Sequence, residues 1–387
     1  MVVLIDLDAA PPPPPPRRSR LHGARLVLPG LAVVLILLLG GAAAPPFAGL
    51  TEVAGTGDQR TEYHLVTTAA LYTAQPRANV TLLDAIPLVA GGPRWSVTVA
   101  ATDATIALSA DRSTIMAVPH ERGWAVFVDA RTGRVRWKVP AFGPLGVVGD
   151  RVVVWQPPGM LRMADVETGR TRWQQPAGAD TLAVDDRWVV ALDQSGRGKV
   201  FASPNGAVLT DKSDLSYTDN GDGYGGAVIL GDALYWWTST VVAAYRLPEL
   251  TPLWRMDAGQ TLTVEPCGAL VCALGNGGVI AADPATGKEG WTNLAWRALT
   301  GEVAVTGDGR AQRADLSTGR ALEELGRGAP VGDLLIRLDG DRGLAIRLGS
   351  RAVLGELPPV DPALCSMAGR YLACPVDGGA VTVWRVR

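Results

Sequence analysis

Residues 128–140 read VDARTGRVRWKVP, residues 164–176 read ADVETGRTRWQQP, and residues 282–293 read ADPATGKEGWTN. The shared pattern is Asp, two free positions, Thr-Gly, a basic residue, two free positions and Trp. In physical terms the Asp closes one strand, and Thr-Gly makes a tight turn in which Gly tolerates positive φ. The strand that follows carries the indole. A large aromatic at a fixed place in each copy fits a residue packed between adjacent sheets. A fourth copy, ADLSTGRALEE (314–324), keeps Asp315, Thr318 and Gly319 and has Glu323 at the Trp position. Decayed copies end at Trp95 (LLDAIPLVAGGPRW, 82–95) and Trp254 (YRLPELTPLW, 245–254).

The spacing sets the count. Trp95 to Trp137 is 42 residues, Trp137 to Trp173 is 36, and Trp254 to Trp291 is 37. Trp173 to Trp254 is 81, two repeats with a degenerate boundary near residue 213, and two short repeats fit after Glu323. Runs such as RVVVWQ (151–156), RWVVALD (187–193), ALYWWTST (233–240) and LLIRLD (334–339) read as strands, and no amphipathic helical stretch follows residue 50. The expectation is an all-β chain: a β-propeller of about eight four-stranded blades, with seven as the alternative. A propeller must close, or its terminal blade exposes a strand edge. The chain ends on GAVTVWRVR (379–387), a strand without a successor, and NVTLLDAIPLV (79–89) is the expected source of the missing outer strand.

The first fifty residues have a different composition. Six consecutive prolines (11–16) favour an extended spacer, and Arg17, Arg18, Arg20 and Arg25 precede the uncharged stretch 26–50. That stretch reads as one transmembrane helix, with its core at 26–44 and its end at Pro45-Pro46. The flanking arginines place residues 1–25 in the cytoplasm and the propeller outside, as a single-pass cell-membrane protein. A cleaved signal peptide ending in GGAAA is the competing reading. The expected domains are a Pro/Arg-rich tail (1–25), the anchor region (26–50), a linker (51–77) and the propeller (78–387).

Net charge is -2 and hydrophobic content 47%, so no global basic field recruits nucleic acid. The basic residues are 32 arginines and 4 lysines, a usage that goes with GC-rich bacterial coding. His22, His64 and His120 do not cluster, which leaves little material for a His-based metal site. The pairs Cys267/Cys272 and Cys365/Cys374 each straddle a Gly-containing turn and suit two local disulfides. Zinc ligation is the rival. YTDNGDGYGG (217–226) looks like a calcium loop, but the EF-hand register puts Thr218 and Ile229 where acids are required. His120 and Glu121 (PHERG, 119–123) fall between strand-like runs with no nucleophile to pair with, and Asn79-Val-Thr81 is a formal glycosylation sequon.

The Asp-x-x-Thr-Gly-x-x-x-Trp units resemble the repeats of PQQ-like β-propellers, those of quinoprotein dehydrogenases and of the outer-membrane assembly lipoprotein. The resemblance covers residues 78–387, with three strong units, and this fold hosts both enzymes and scaffolds. For a quinone-dependent dehydrogenase it implies an adjacent cysteine pair, a calcium ion and an acidic base. This chain has no adjacent cysteines, and Asp129, Asp165, Asp283 and Asp315 are accounted for by turns. The expectation is therefore a non-catalytic, extracytoplasmic platform for an envelope protein or peptide, with no cofactor and no catalytic, cofactor-binding or metal residue assigned. The alternatives are a propeller that binds a sugar or an organic cofactor, and a PQQ-dependent dehydrogenase.

Overall fold

The computed structural model describes residues 49–387, apart from 58–60, 102–103, 120–122, 142–144, 157, 194 and 216–224. These residues form β-strands and two three-residue 3₁₀ turns, with no α-helix among them. The strands run β1 (Leu50–Gly55), β2 (Tyr63–Val66), β3 (Ala70–Arg77), β4 (Val80–Pro87), β5 (Trp95–Val99) and onward to a last strand, Val381–Val386. They make eight hydrogen-bonded sheets, as many as the repeat spacing leads one to expect: seven of four strands and one of seven.

The seven-stranded sheet is two blades joined through one long strand, Arg320–Val331. Residues 320–327 pair with the strand before it, and Gly328–Val331 pair with the strand after it. The packing follows the same division. Nine separate hydrophobic clusters are present, each made by residues of two successive blades, and the cluster containing Leu71, Tyr371 and Val383 joins the last blade to the first. The described residues thus close into a ring of nine four-stranded blades: 63–99, 104–141, 145–176, 181–212, 225–257, 261–293, 296–327, 328–357, and 366–386 completed by β1. Intervals between tryptophans undercount by one, because the unit that ends at Trp95 has no tryptophan before it.

Within a blade, successive side chains point to opposite faces, and both faces are covered by neighbours. Val152 and Val154 enter the cluster shared with the preceding blade, and Val153 enters the one shared with the following blade. Val189 and Ala191 likewise face one way, Val190 and Leu192 the other. That double burial explains why the second strand of each blade reads as an unbroken apolar run rather than an alternating one.

The repeated motif does what its chemistry dictates. Asp129 Oδ1 accepts the backbone N–H groups of Arg131 and Thr132 and the Thr132 hydroxyl, and Asp165 and Asp283 do the same in their turns. A β-bulge then puts the Trp on the face turned to the next blade. Its ring lies over the turn glycine of that blade: Trp95 over Gly133, Trp137 over Gly169, Trp173 over Gly206, Trp254 over Gly287 and Trp291 over Gly319. In each pair a Cβ on the glycine would meet the ring at 2.3–2.6 Å. Each of these glycines also has positive φ, so the turn and the close approach both require it. Each indole N–H donates to a backbone carbonyl of the same turn, at Ala130, Val166, Ser203, Pro284 and Leu316.

Beyond the blade count, which is nine rather than eight, three further expectations are corrected. Residues 51–77, read as a linker, hold β1, β2 and β3. The segment 79–89 does not supply the outer strand of the last blade, because β4 is the third strand of the first blade. The ring closes instead by β1 pairing antiparallel with Val381–Val386. The single-pass cell-membrane localisation does not stand: among the described residues no helix is long and apolar enough to cross a membrane, and the span placed at 26–44 lies outside them. Both cysteine pairs form disulfides, Cys267–Cys272 and Cys365–Cys374, as the oxidised reading required. His22, His120, Glu121 and most of the loop 217–226 also lie outside the described residues.

Candidate functional site

The closure seam between the last blade and the first is where the fold leaves polar chemistry unspent. One face of the first blade carries His64, Thr73, Asp84 and Ser96 directly opposite one another on β2, β3, β4 and β5. This is a cross-strand ladder of polar side chains, and its two inner members stand where the next two blades carry the apolar pairs Ile106–Ala117 and Leu145–Val154. Six buried side-chain polar atoms lack a hydrogen-bond partner among the described residues, and five lie at this seam: Thr61 Oγ1, His64 Nε2, Thr73 Oγ1, Asp84 Oδ2 and Ser366 Oγ. Buried polar groups are ordinarily satisfied, so a concentration of orphans in one place marks a binding candidate.

His64 reaches across the seam, and its imidazole donates to the Ala373 carbonyl of the last blade. Burial lowers its pKa below the ordinary histidine value and outweighs that hydrogen bond, which favours the proton. The ring is therefore neutral near pH 7, with Nε2 left as an acceptor. Thr73 is 1% exposed. With Asp84 Oδ2 it presents acceptors to a groove of about 600 Å³ between β1 and the outer half of the first blade. Val53, Ala54 and Thr56 form one wall, and Ile86, Pro87, Arg94 and Ser96 the other. A second hollow of about 550 Å³ lies on the same seam, lined by Thr61, Glu62, Gln75, Arg77, Gly378 and Gly379. Such a row suits a ligand that brings N–H or O–H donors together with an apolar body.

The repeat carboxylates offer no comparable chemistry. Asp129 is tied by Arg136 at 2.7 Å. Partial burial pushes its pKa up, but the bonds from Arg136 and Thr132 more than offset this and hold it at about 2. Asp283 and Asp315 are lowered by the same turn hydrogen bonds from Thr286, and from Ser317 and Thr318. Among the described residues no group of three or more His, Cys, Asp or Glu is placed to hold a metal ion.

The sequence singled out no seam residue. Asp84 and Trp95 were visible only as part of a decayed repeat, and Thr73 and His64 carried no signal. Their meeting depends on β1, from the far end of the chain, closing the ring beside them. The copy at 203–206 (Ser-Pro-Asn-Gly) was missed as well, although its Gly206 seats Trp173 as Gly133 seats Trp95.

Residues 76–234 match the family model described as outer membrane protein assembly factor BamB. No curated protein matches the chain. Among solved structures, BamB from Moraxella catarrhalis superposes with a TM-score of 0.50 at 17% identity, covering 87% of this chain and 98% of that one. The computationally designed protein Ika8 gives 0.48 at 14% identity, covering 85% and 100%. A quinohemoprotein alcohol dehydrogenase from Pseudomonas putida gives 0.43 at 12%, covering 71% and 73%. The first of these establishes a shared fold.

Proposed function

We propose that this PQQ-like β-propeller repeat protein is a non-enzymatic scaffold of the cell envelope, which holds a protein partner on its propeller (residues 50–387). The observation that carries the reading is the match of residues 76–234 to the BamB assembly-factor model, an assignment of a binding rather than a catalytic kind. Two disulfides, with no free cysteine among the described residues, suit an oxidising compartment. Nine packed interfaces make a stiff ring, and stiff rings present loops and rims for recognition. Exposed leucines flank the Gly275–Gly278 turn, Leu262 at 55% and Leu294 at 67%, and they supply apolar contact area on one such rim.

The test is crosslinking of the tagged full-length protein in its native cells, followed by identification of what copurifies. A stoichiometric envelope protein supports the scaffold. A protein that emerges alone, from wild-type cells at several crosslinker lengths, counts against it. The dehydrogenase reading has its own assay: adding PQQ, calcium and an alcohol, and following dye reduction. Reduction at enzymatic rates would replace the scaffold reading.

A further inference from the structure

The nine blade-to-blade contacts all use the same pair of positions: the outer-strand residue after the bulge, and the turn residue of the next blade. Five are Trp on Gly. Three use other chemistry. Thr210 stands at the Trp position of the fourth blade, where it pairs with Val200 beside the bulge. The facing turn position holds Leu250, fully buried at φ 52, and its bulk fills the seat. Glu323 stands at the Trp position of the seventh blade, and the facing turn residue is Arg351 at φ 57. The two form an ion pair at 2.7 Å. Gly355 stands there in the eighth blade, and Leu50 of β1 packs onto it.

The ninth contact, at the closure seam, is vacant. Ala54 occupies the Trp position: it pairs with Val383 beside the bulge of β1, as Trp137 pairs with Phe127. The facing turn keeps its glycine, Gly91 at φ 74, but among the described residues nothing lies within 4 Å of where its Cβ would be. That turn is closed differently from its counterparts, by the Gly92 N–H donating to Val89, where Gly133, Gly169 and Gly287 each donate to the residue four before. The Leu88 carbonyl, equivalent to the Ala130 carbonyl that receives the Trp95 indole N–H, has only the Tyr371 hydroxyl at 3.4 Å. Beside this seat lies the groove with Thr73 Oγ1 and Asp84 Oδ2 unpartnered.

We propose that the seam is a docking seat for a tryptophan side chain carried on an extended segment of a partner protein. The proposal rests on the scaffold reading and names the chemistry of the partner. The same fold fills five equivalent seats with an indole, and here supplies the glycine and the acceptor carbonyl while withholding the ring. Asp84 and Thr73 meet the N–H donors of the segment that carries it. Residues 1–48 contain no tryptophan, so the chain outside the described residues cannot supply the ring.

The test uses full-length protein and N-acetyl-L-tryptophanamide as probe, followed by saturation-transfer NMR. Saturable binding is expected, with a dissociation constant on the order of 1 mM for a single side chain. Ala54→Trp places a ring in the seat from within and is expected to weaken the probe by about tenfold or more. Ala54→Leu, a smaller change that secures the result should the indole variant misfold, acts in the same direction. No saturable binding to wild type, or equal binding to both variants, overturns the seat without touching the copurification test of the scaffold. Tighter binding of free tryptophan than of the blocked amide assigns the seat to a metabolite and overturns the partner segment. So does a dimer, seen in sedimentation, that both Ala54→Trp and Trp124→Ala abolish, since Trp124 is the exposed indole a second copy would offer.

Discussion

Gly133 has positive φ and the Trp95 ring at the distance of a steric clash, so a single methyl group there has nowhere to go. Gly133→Ala is expected to destabilise the fold by about 2 kcal/mol or more, read as a lower urea midpoint at unchanged slope. Trp137→Ala, which removes a ring stacked 3.6 Å from Phe127, is expected to cost about 3–5 kcal/mol in the same assay. The exchange of Trp–Gly for Glu–Arg at the seventh contact gives a sharper residue-scale test. Glu323→Trp alone lays an indole against the Arg351 side chain, and Arg351→Gly alone leaves Glu323 unpaired. The double substitution restores the arrangement found five times in the ring. A double-mutant cycle should show favourable coupling of about 1 kcal/mol or more, and strict additivity would contradict the equivalence of the two positions. The Asp-Thr-Gly-Trp copies were legible because each residue type has one local reason to be there. The Leu250 and Arg351 substitutes were not, because each makes sense only opposite a partner on another blade.

At the scale of elements, the second strand of each blade is the core of the ring and the outer strand its joint. Those inner runs were readable from Val, Ile and Ala content alone. Cys267–Cys272 ties neighbouring strands of one blade, and Cys365–Cys374 ties the end of the 3₁₀ turn Pro362–Leu364 to the strand Tyr371–Pro375, with sequence separations of 5 and 9. Chain entropy gives about 2–3 kcal/mol for each. Reduction under native conditions should therefore lower the melting temperature without changing the β-sheet signal of the folded state, checked by circular dichroism with and without reductant. β1 has the larger task. Without it the strand Val381–Val386 becomes an edge, and the last blade loses the wall it offers to the first. Removal of residues 50–55 is expected to lower the melting temperature more than either reduction, and to raise aggregation in light scattering. The role of β1 was hidden because nothing in LTEVAG distinguishes a closing strand from a linker.

For the whole molecule, the seam carries a pH-sensitive feature whose sign is set by burial. The pKa of His64 is depressed by burial below the ordinary histidine value of about 6.5, so between its folded value and that of the unfolded chain the unfolded chain binds more protons than the folded one. The contribution of neutral His64 is complete above about pH 6.5 and declines as pH falls through that window. Comparing urea midpoints near pH 7.5 and pH 5.5, approximate settings on either side of the histidine range, should show the loss in wild type and less of it in His64→Gln. An equal loss in both would place the sensitivity elsewhere.

Sequence established the repeat, the all-β class and the turn chemistry, and pointed to the propeller architecture and to two local cysteine pairs, between disulfide and zinc. The turns and cysteine pairs rest on contacts between residues within about a dozen positions of one another, and the propeller reading on the even spacing of the copies along the chain. Tertiary structure alone decided the ninth blade, the strand that closes the ring, the substitutes that fill the seats without tryptophan and the vacancy at the seam. Each of these is a relation between side chains on different blades, or between the two ends of the chain. A one-dimensional pattern records which residues are present at such a contact, and only the closed ring records which of them meet.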